Sequence, residues 1–513
     1  MRTKIIIELV LIASVVFGLN QIAVLDGHSA TGKFGYAIAG RLDFNHDGLA
    51  DVFIGEPGWS KVYCYFGSIP FDTIPDLIFT GTAGTQFGAC LASIKDINND
   101  GIDDLAIGAP RDNSGGAAAG RVFLYFGSQN PDTSVDLILT GQVNSARFGT
   151  SISSGYDVNG DSGVDILIGA PGDQHAFLFL GGTVLDTVPD LILQDGNGDY
   201  FGNAVALLGD VNNDTFGDML VGDYRHSGSI LHGGGCFLYF GGTTLDPNVD
   251  IVWEGDEENR QLGITVAAAE DLNHDGLNDI ALGASMTDKV HIHFGSPNIG
   301  VQPDVVLQGS DWFGCWITGQ ADINQDNFKD LLVGADGDYY GLPSGPGYVY
   351  LFLGGNPMSP IPDTILAGEA EEDMFGSCVE FCDDINNDQY IEFCIGAPGH
   401  DSQGLNAGRA YIYNTSYTGI AETYSTKTSN DLILRIIPGT IVNSNHPIMI
   451  ECRGLENQKK QLKVINVLGR IVFSKNFLSQ QDFVTLPVLP VGVYSVIVQI
   501  ESHNVNNKLI LLK

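Results

Sequence analysis

Basic side chains are scarce in this sequence. Its 513 residues include 24 Lys and Arg against 62 Asp and Glu, a formal charge of -38. That balance excludes nucleic acid as a partner, because phosphate backbones are held by Lys and Arg. Long amphipathic helical patterns are missing, and beyond the first nineteen residues no segment is long and apolar enough to cross a membrane as a helix. Cysteine is limited to eight residues. Most fall singly on predicted strands and read as buried thiols, while Cys382 and Cys394 flank one loop symmetrically and leave a disulfide open. No nucleophile stands beside a base and no acid pair lies outside the repeats, so no enzyme is expected. His291 and His293 share a strand face, but two histidines without further ligands read as strand surface rather than a zinc site.

Glycine is plentiful, with 66 residues, and aromatic and β-branched residues come in runs of about four to seven. The expectation is an all-β chain of short strands and tight turns. Residues 1–18 carry Arg2 and Lys4 before an apolar stretch broken only by Glu8. This reads as a secretory signal peptide cut near Gly18; an uncleaved anchor is the alternative, for which about 15 residues is short. Residues 19–417 hold 55 acids and 12 bases, and residues 418–513 hold 6 acids and 10 bases. The chain therefore divides near residue 417.

The larger segment is a repeat. Phe-Gly occurs at Phe34, Phe87, Phe148, Phe201, Phe313 and Phe375, with Leu262-Gly263 as the one variant. Nine residues after each comes an aspartate, and twelve after that a glycine closing an apolar run such as Leu105-Ala106-Ile107-Gly108. An aromatic-rich strand and a fourth strand complete each unit, as in Val122–Gly127 and Asp136–Leu139. Seven such units predict a seven-bladed β-propeller. Fourth strands begin at Asp76, Asp136, Asp190, Asp250, Asp304 and Asp363. The seventh is supplied by residues 22–27 at the other end of the chain, which closes the ring and removes its open edge.

Phe-Gly, an Asp-x-Asn-x-Asp-Gly loop and Ile-Gly-Ala-Pro, as at Phe87 to Pro110, resemble the FG-GAP repeats of integrin alpha-subunit propellers. The resemblance covers roughly residues 20–417. It implies an extracellular ligand-binding propeller. That family carries calcium loops in only some blades, whereas here every blade has one.

Residues 1, 3, 5 and 9 of each loop offer side-chain oxygens and residue 7 a carbonyl, a set suited to calcium. The loops are Asp43, Asn45, Asp47, Leu49, Asp51; Asp96, Asn98, Asp100, Ile102, Asp104; Asp157, Asn159, Asp161, Gly163, Asp165; and Asp210, Asn212, Asp214, Phe216, Asp218. The other three are Asp271, Asn273, Asp275, Leu277, Asp279; Asp322, Asn324, Asp326, Phe328, Asp330; and Asp384, Asn386, Asp388, Tyr390, Glu392. An EF-hand needs a Glu at position 12, which is apolar in all seven. Asp, Asn and Gly also form ordinary turns, yet three carboxylates within nine residues repel one another unless neutralised. Up to seven Ca2+ ions, one per blade, are expected.

The loops between second and third strands are long after blades two, four, six and seven, which accounts for repeat intervals of 53, 61, 53, 61, 51 and 62 residues. They bring Arg111, Arg225, His226, His232, Tyr339, Tyr340, His400 and Asp401 to the face opposite the metals. By the resemblance that face receives ligand; as surface insertions the same loops are simply tolerated.

Residues 418–513 read as a small β-sandwich. Leu468-Gly469-Arg470 and Gly492-Val493-Tyr494 make it similar to the C-terminal sorting domain of bacterial type IX secretion substrates, although Ile437-Pro438-Gly439 replaces that family's Pro-Asn-Pro entry. An ordinary accessory sandwich is the alternative. The chain is thus expected to be a secreted or bacterial cell-surface calcium-binding adhesion or recognition module for protein or glycan ligands, exported by secretion machinery that reads its tail. The alternatives are the propeller part of an extracellular hydrolase or lyase system, and a purely structural scaffold.

Overall fold

Short strands with no helical periodicity fold here, up to residue 416, into seven four-stranded sheets. The computed structural model describes residues 18–182, 185–195, 200–255, 261–339, 342–343, 345–416 and seven strands between 433 and 511. The predicted signal peptide, up to residue 17, lies outside the described residues. Helix is nearly absent among the described residues, with one 3-10 turn at Ser285–Thr287.

Blade two shows the plan. Its strands Cys90–Ile94, Asp104–Ala109, Arg121–Tyr125 and Leu137–Thr140 pair in chain order. The second strand is buried along its whole length, and so are its counterparts, such as Asp51–Glu56 and Asp218–Asp223. Neighbouring blades cover both faces of the sheet, which is why these strands read as unbroken apolar runs rather than alternating ones. The cores lie between consecutive blades; one joins Phe53 and Phe79 of blade one to Leu105 and Tyr125 of blade two. Another joins Cys378 and Ile412 of blade seven to Val52 and Ile54 of blade one, so the ring is closed.

Both residues of Phe-Gly have a packing role. The phenylalanine is buried and meets an aromatic side chain of its own blade's third strand edge to face, as Phe87 meets Phe123 at 5.3 Å and Phe375 meets Tyr411 at 5.3 Å. The glycine has a positive φ, and its carbonyl lies against the glycine that closes the preceding blade's second strand: a Cβ on Gly55 would sit 2.1 Å from the Gly88 oxygen. The same contact between Gly396 and Gly35 joins blade seven to blade one. Only glycine permits that approach.

In blade seven the sheet order is Gly18–Asp26, Arg409–Ser416, Glu392–Ala397, Cys378–Asp383. The N-terminal strand therefore stands where the other blades have their fourth strand. Leu25 is buried, and Asp26 pairs with Arg409 at 2.7 Å. In the six other blades the aspartate before the fourth strand caps the preceding hairpin, as Asp136 Oδ2 accepts the Phe126 N–H at 2.8 Å. Gln21–Asn414 is one compact unit, and the C-terminal strands belong to another. Those strands form two sheets: Ile433–Ile437, Met449–Arg453 and Phe483–Thr485 in one, and Ile471–Phe477, Lys460–Asn466, Gly492–Ile500 and His503–Leu511 in the other.

One open alternative is decided and one expectation is corrected. Cys382 and Cys394 are free, buried thiols, because the register pairs Cys394 with Glu380 and leaves Cys382 at a bulge. His293 is not strand surface: it is 1% exposed and packs on Trp253 at 4.7 Å. Burial, helped by neighbouring His291, pushes its pKa down to about 4. The unfolded chain binds this proton below pH 6.5 while the folded chain refuses it until about pH 4, so stability is lost as pH falls through that window. His293→Leu is expected to reduce the slope of melting temperature against pH between 4 and 6.5. An unchanged slope would remove His293 from the acid response.

Candidate metal centres

The loop between first and second strands adopts one conformation in all seven blades. Its fourth residue has φ between 56° and 78° and its sixth between 71° and 91°, including the non-glycine Ser162, Thr215, Asn327 and Gln389. Left-handed backbone at a β-branched residue such as Thr215 costs roughly 1 kcal/mol or more and persists only where the surroundings enforce it. The enforcement comes from the carboxylates. Asp43 accepts the N–H groups of Asp47 and Gly48, both at 2.9 Å, and Asp322 accepts those of Asp326 and Asn327 at 3.0 and 2.8 Å. The fifth residue then accepts the seventh residue's N–H, as in Leu49 to Asp47 at 2.9 Å and Tyr390 to Asp388 at 3.0 Å.

The ninth residue lies deeper. Asp51, Asp104, Asp165, Asp218, Asp279, Asp330 and Glu392 are each fully buried. In blade one, Asp51 Oδ2 accepts the Phe44 N–H and Oδ1 the Gly67 N–H, both at 2.9 Å, tying the loop to the end of the third strand. Five more blades repeat this pair of bonds. Burial raises these carboxyls against the opposing pull of the backbone N–H groups, and the loop's other acids add to the rise. Asp51, Asp104 and Asp218 reach about 7, Asp165 about 6 and Asp279 about 8.

Blade seven differs. By the strand register Asn414 takes the place that Phe126 has in blade two and Thr415 that of Gly127, and the longer Glu392 turns its second oxygen to Asn386 Nδ2 at 3.1 Å. As a result Asp384, Asp388 and Glu392 bring ligand atoms within 4.8 Å of one another. Among the described residues, it is the one loop in which three carboxylates converge so closely.

The convergence in blade seven fits a cation, and the donors of the other loops are not exhausted by their hydrogen bonds. Each bonded carboxylate oxygen keeps a second lone pair. In blade five Asn273 is 7% exposed and its Oδ1, third-position in the loop, has no hydrogen-bond partner. A buried carbonyl oxygen left unpaired is costly unless something outside the chain meets it.

The loops also connect blades. The second residue's carbonyl accepts an N–H from just after the next blade's third strand, as Phe44 does from Ser128 at 3.0 Å and Val211 from Ser296 at 2.8 Å. Ile385 of blade seven accepts from Ser68 of blade one at 2.9 Å, which carries the pattern across the closure.

On the opposite face, the candidate ligand residues stand on four separate blades. Arg111, Arg225 and Asp401 are exposed, and His232 and His400 are half-buried. Arg225 lies over the rings of Tyr200 and Tyr224 at 4.8 and 5.6 Å. His226 departs from its expected surface role: it is 5% exposed and its Nδ1 lies 3.0 Å from Asp195 Oδ2. Asp401 is engaged within its own loop by the Asn406 N–H at 2.7 Å. Tyr339 falls in the two-residue strand Asp338–Tyr339, and Tyr340 lies outside the described residues. Sequence reasoning missed a structural role for the long loops. Their closing glycines, Gly120, Gly234, Gly347 and Gly408, each bridge to the first residue of the next Phe-Gly or Leu-Gly pair. The signal was present in the glycine that ends every long loop.

The FG-GAP repeat family matches residues 34–70 and 87–125. Integrin alpha-7 of Rattus norvegicus is 36% identical over 182 residues, covering 33% of this chain and 15% of that protein. Integrin alpha-5 of Xenopus laevis is 31% identical over 185 residues, covering 33% and 17%, and integrin alpha-8 of Mus musculus 32% over 214 residues, covering 37% and 20%. The matched segments thus span a fifth or less of these relatives' length. With seven closed blades of matching loop, glycine and aromatic positions, the chain is a seven-bladed, integrin-alpha-like β-propeller built from FG-GAP repeats.

Proposed function

We propose that this chain is an extracellular calcium-binding recognition or adhesion module that acts by binding a protein or a glycan and not by catalysis. The observation that carries the reading is the sevenfold recurrence of one acidic loop. Its conformation does not vary even where non-glycine residues must take left-handed backbone. Ca2+ held by the oxygens of loop residues 1, 3, 5, 7 and 9 would supply charge neutralisation, and the chain's own contribution is to fix those oxygens between buried strands. The other face, with exposed Arg111 and Arg225, receives the ligand, while the strand-rich tail addresses the protein for type IX secretion through a bacterial outer membrane. Among the described residues no helix is long and apolar enough to cross a membrane.

The test is a screen of calcium-loaded protein against glycan and surface-protein arrays, beside a chelated sample. Calcium-dependent hits weakened by Arg111→Ala or Arg225→Ala are expected. Silence on every array from folded, calcium-loaded protein would contradict a recognition role and favour a scaffold.

A further inference from the structure

Blade four and its neighbour break the repeat at two places that meet in space. Where six blades end the fourth strand on glycine, including Gly27, Gly141 and Gly255, blade three has Asp195. Five blades follow the second-strand glycine with alanine, as at Ala109 and Ala397, whereas blade four has Asp223. Three residues later in the same loop comes His226. Both strand ends lie away from the acidic loops, so the three residues gather on the opposite face. Ligand atoms of Asp195, Asp223 and His226 all lie within 4.8 Å of one another.

The cluster is built, not incidental to a surface. Side chains of Asp195 and His226 are 2% and 5% exposed, and Asp223 is fully buried. Asp223 Oδ1 accepts the Arg225 and Tyr200 N–H groups at 2.9 and 3.2 Å. Its Oδ2 is buried with no hydrogen-bond partner. The acid in the matching position of blade one provides a control: both oxygens of Glu56 are engaged, by the Tyr63 hydroxyl at 2.7 Å and the His28 N–H at 3.3 Å. An unpaired carboxylate oxygen beside a second buried carboxylate is an arrangement that a chain keeps at a cost unless a cation shares the site.

We propose that Asp195, Asp223 and His226 form a divalent transition-metal site, distinct from the acidic loops and suited to Zn2+. One imidazole and two carboxylates are borderline ligands that favour such an ion over Ca2+, and the two carboxylate charges balance it. His226 Nδ1 faces Asp195, while Nε2 is 4.0 Å from Glu254 Oε1. A carboxylate on the far side of a metal-binding imidazole is the usual means of fixing its tautomer and orientation. Glu254 is itself held, its Oε2 accepting from the Ser229 N–H at 3.1 Å and hydroxyl at 2.5 Å. The Phe237 ring meets the imidazole edge to face at 5.1 Å and restrains it further.

The full chain in excess Ca2+, so that the acidic loops are filled, is titrated with ZnCl2 by calorimetry, and bound zinc is measured after desalting. One equivalent of zinc is expected for the wild type. Asp195→Gly and Asp223→Ala install the residues other blades carry at these positions, so both should fold. Each is expected to weaken that equivalent by roughly 100-fold or more, and Glu254→Gln by roughly 10-fold. The melting response to Ca2+ should be unaltered in all three. Folded wild-type protein that retains no more zinc than Asp195→Gly would overturn the site and leave a hydrogen-bonded acid and histidine cluster in its place.

Discussion

Chelation with EGTA is expected to lower the melting temperature of the propeller by on the order of 10 °C. For a site with affinity near 0.1 mM and a millimolar calcium supply, ligand binding adds about 1.4 kcal/mol. Seven sites would together contribute about 10 kcal/mol, comparable with the whole stability of an ordinary domain. Unfolding entropy grows with chain length, so for the unit Gln21–Asn414 each kcal/mol moves the transition by roughly 1 °C. The loops are placed to transmit the effect, since the carbonyl of each second residue in blade one and its counterparts holds the neighbouring blade. Melting followed by calorimetry with and without EGTA checks this. An unchanged melt would mean that the acidic loops are turns held by their own hydrogen bonds.

Removing residues 1–26 is expected to open the ring. Leu25 is 2% exposed and Ala23 8%, and both join the core shared by blades seven and one. Losing a buried leucine alone costs about 2–5 kcal/mol. Deletion also strips the Asp26 partner from Arg409 and leaves Arg409–Ser416 as an edge strand with unpaired backbone groups. Expected results are a loss of at least roughly 5 kcal/mol and concentration-dependent association in size-exclusion chromatography. A comparison with Leu25→Ala, which keeps the strand, separates the core contribution from the edge. A truncated protein that stays monomeric with wild-type stability would show that this strand does not close the ring.

The propeller was legible in the sequence because its constraints are local and recur. Phe87 must reach Phe123, and Gly55 must lie against Gly88, so each copy carries the same letters at the same spacing. The acidic loops were legible for the same reason. What escaped were contacts between copies. Asp195 and Asp223 are visible as departures from glycine and alanine, but that two departures in different blades meet at one buried cluster depends on how blade three lies against blade four. His226 looked like a loop-surface residue because sequence shows the length of a loop and not which side chain turns inward. The convergence at Asp384, Asp388 and Glu392 goes with a glutamate where the other six loops close on aspartate. One added methylene is easy to pass over beside a loop that otherwise matches the rest.

The most direct test of the account is the calcium content of the purified chain, measured by equilibrium dialysis and atomic emission at millimolar free Ca2+. The account predicts several ions per chain, up to one for each of the seven loops, falling by one when Asp96→Ala removes the first carboxylate of blade two. A folded protein that binds less than one equivalent would contradict it.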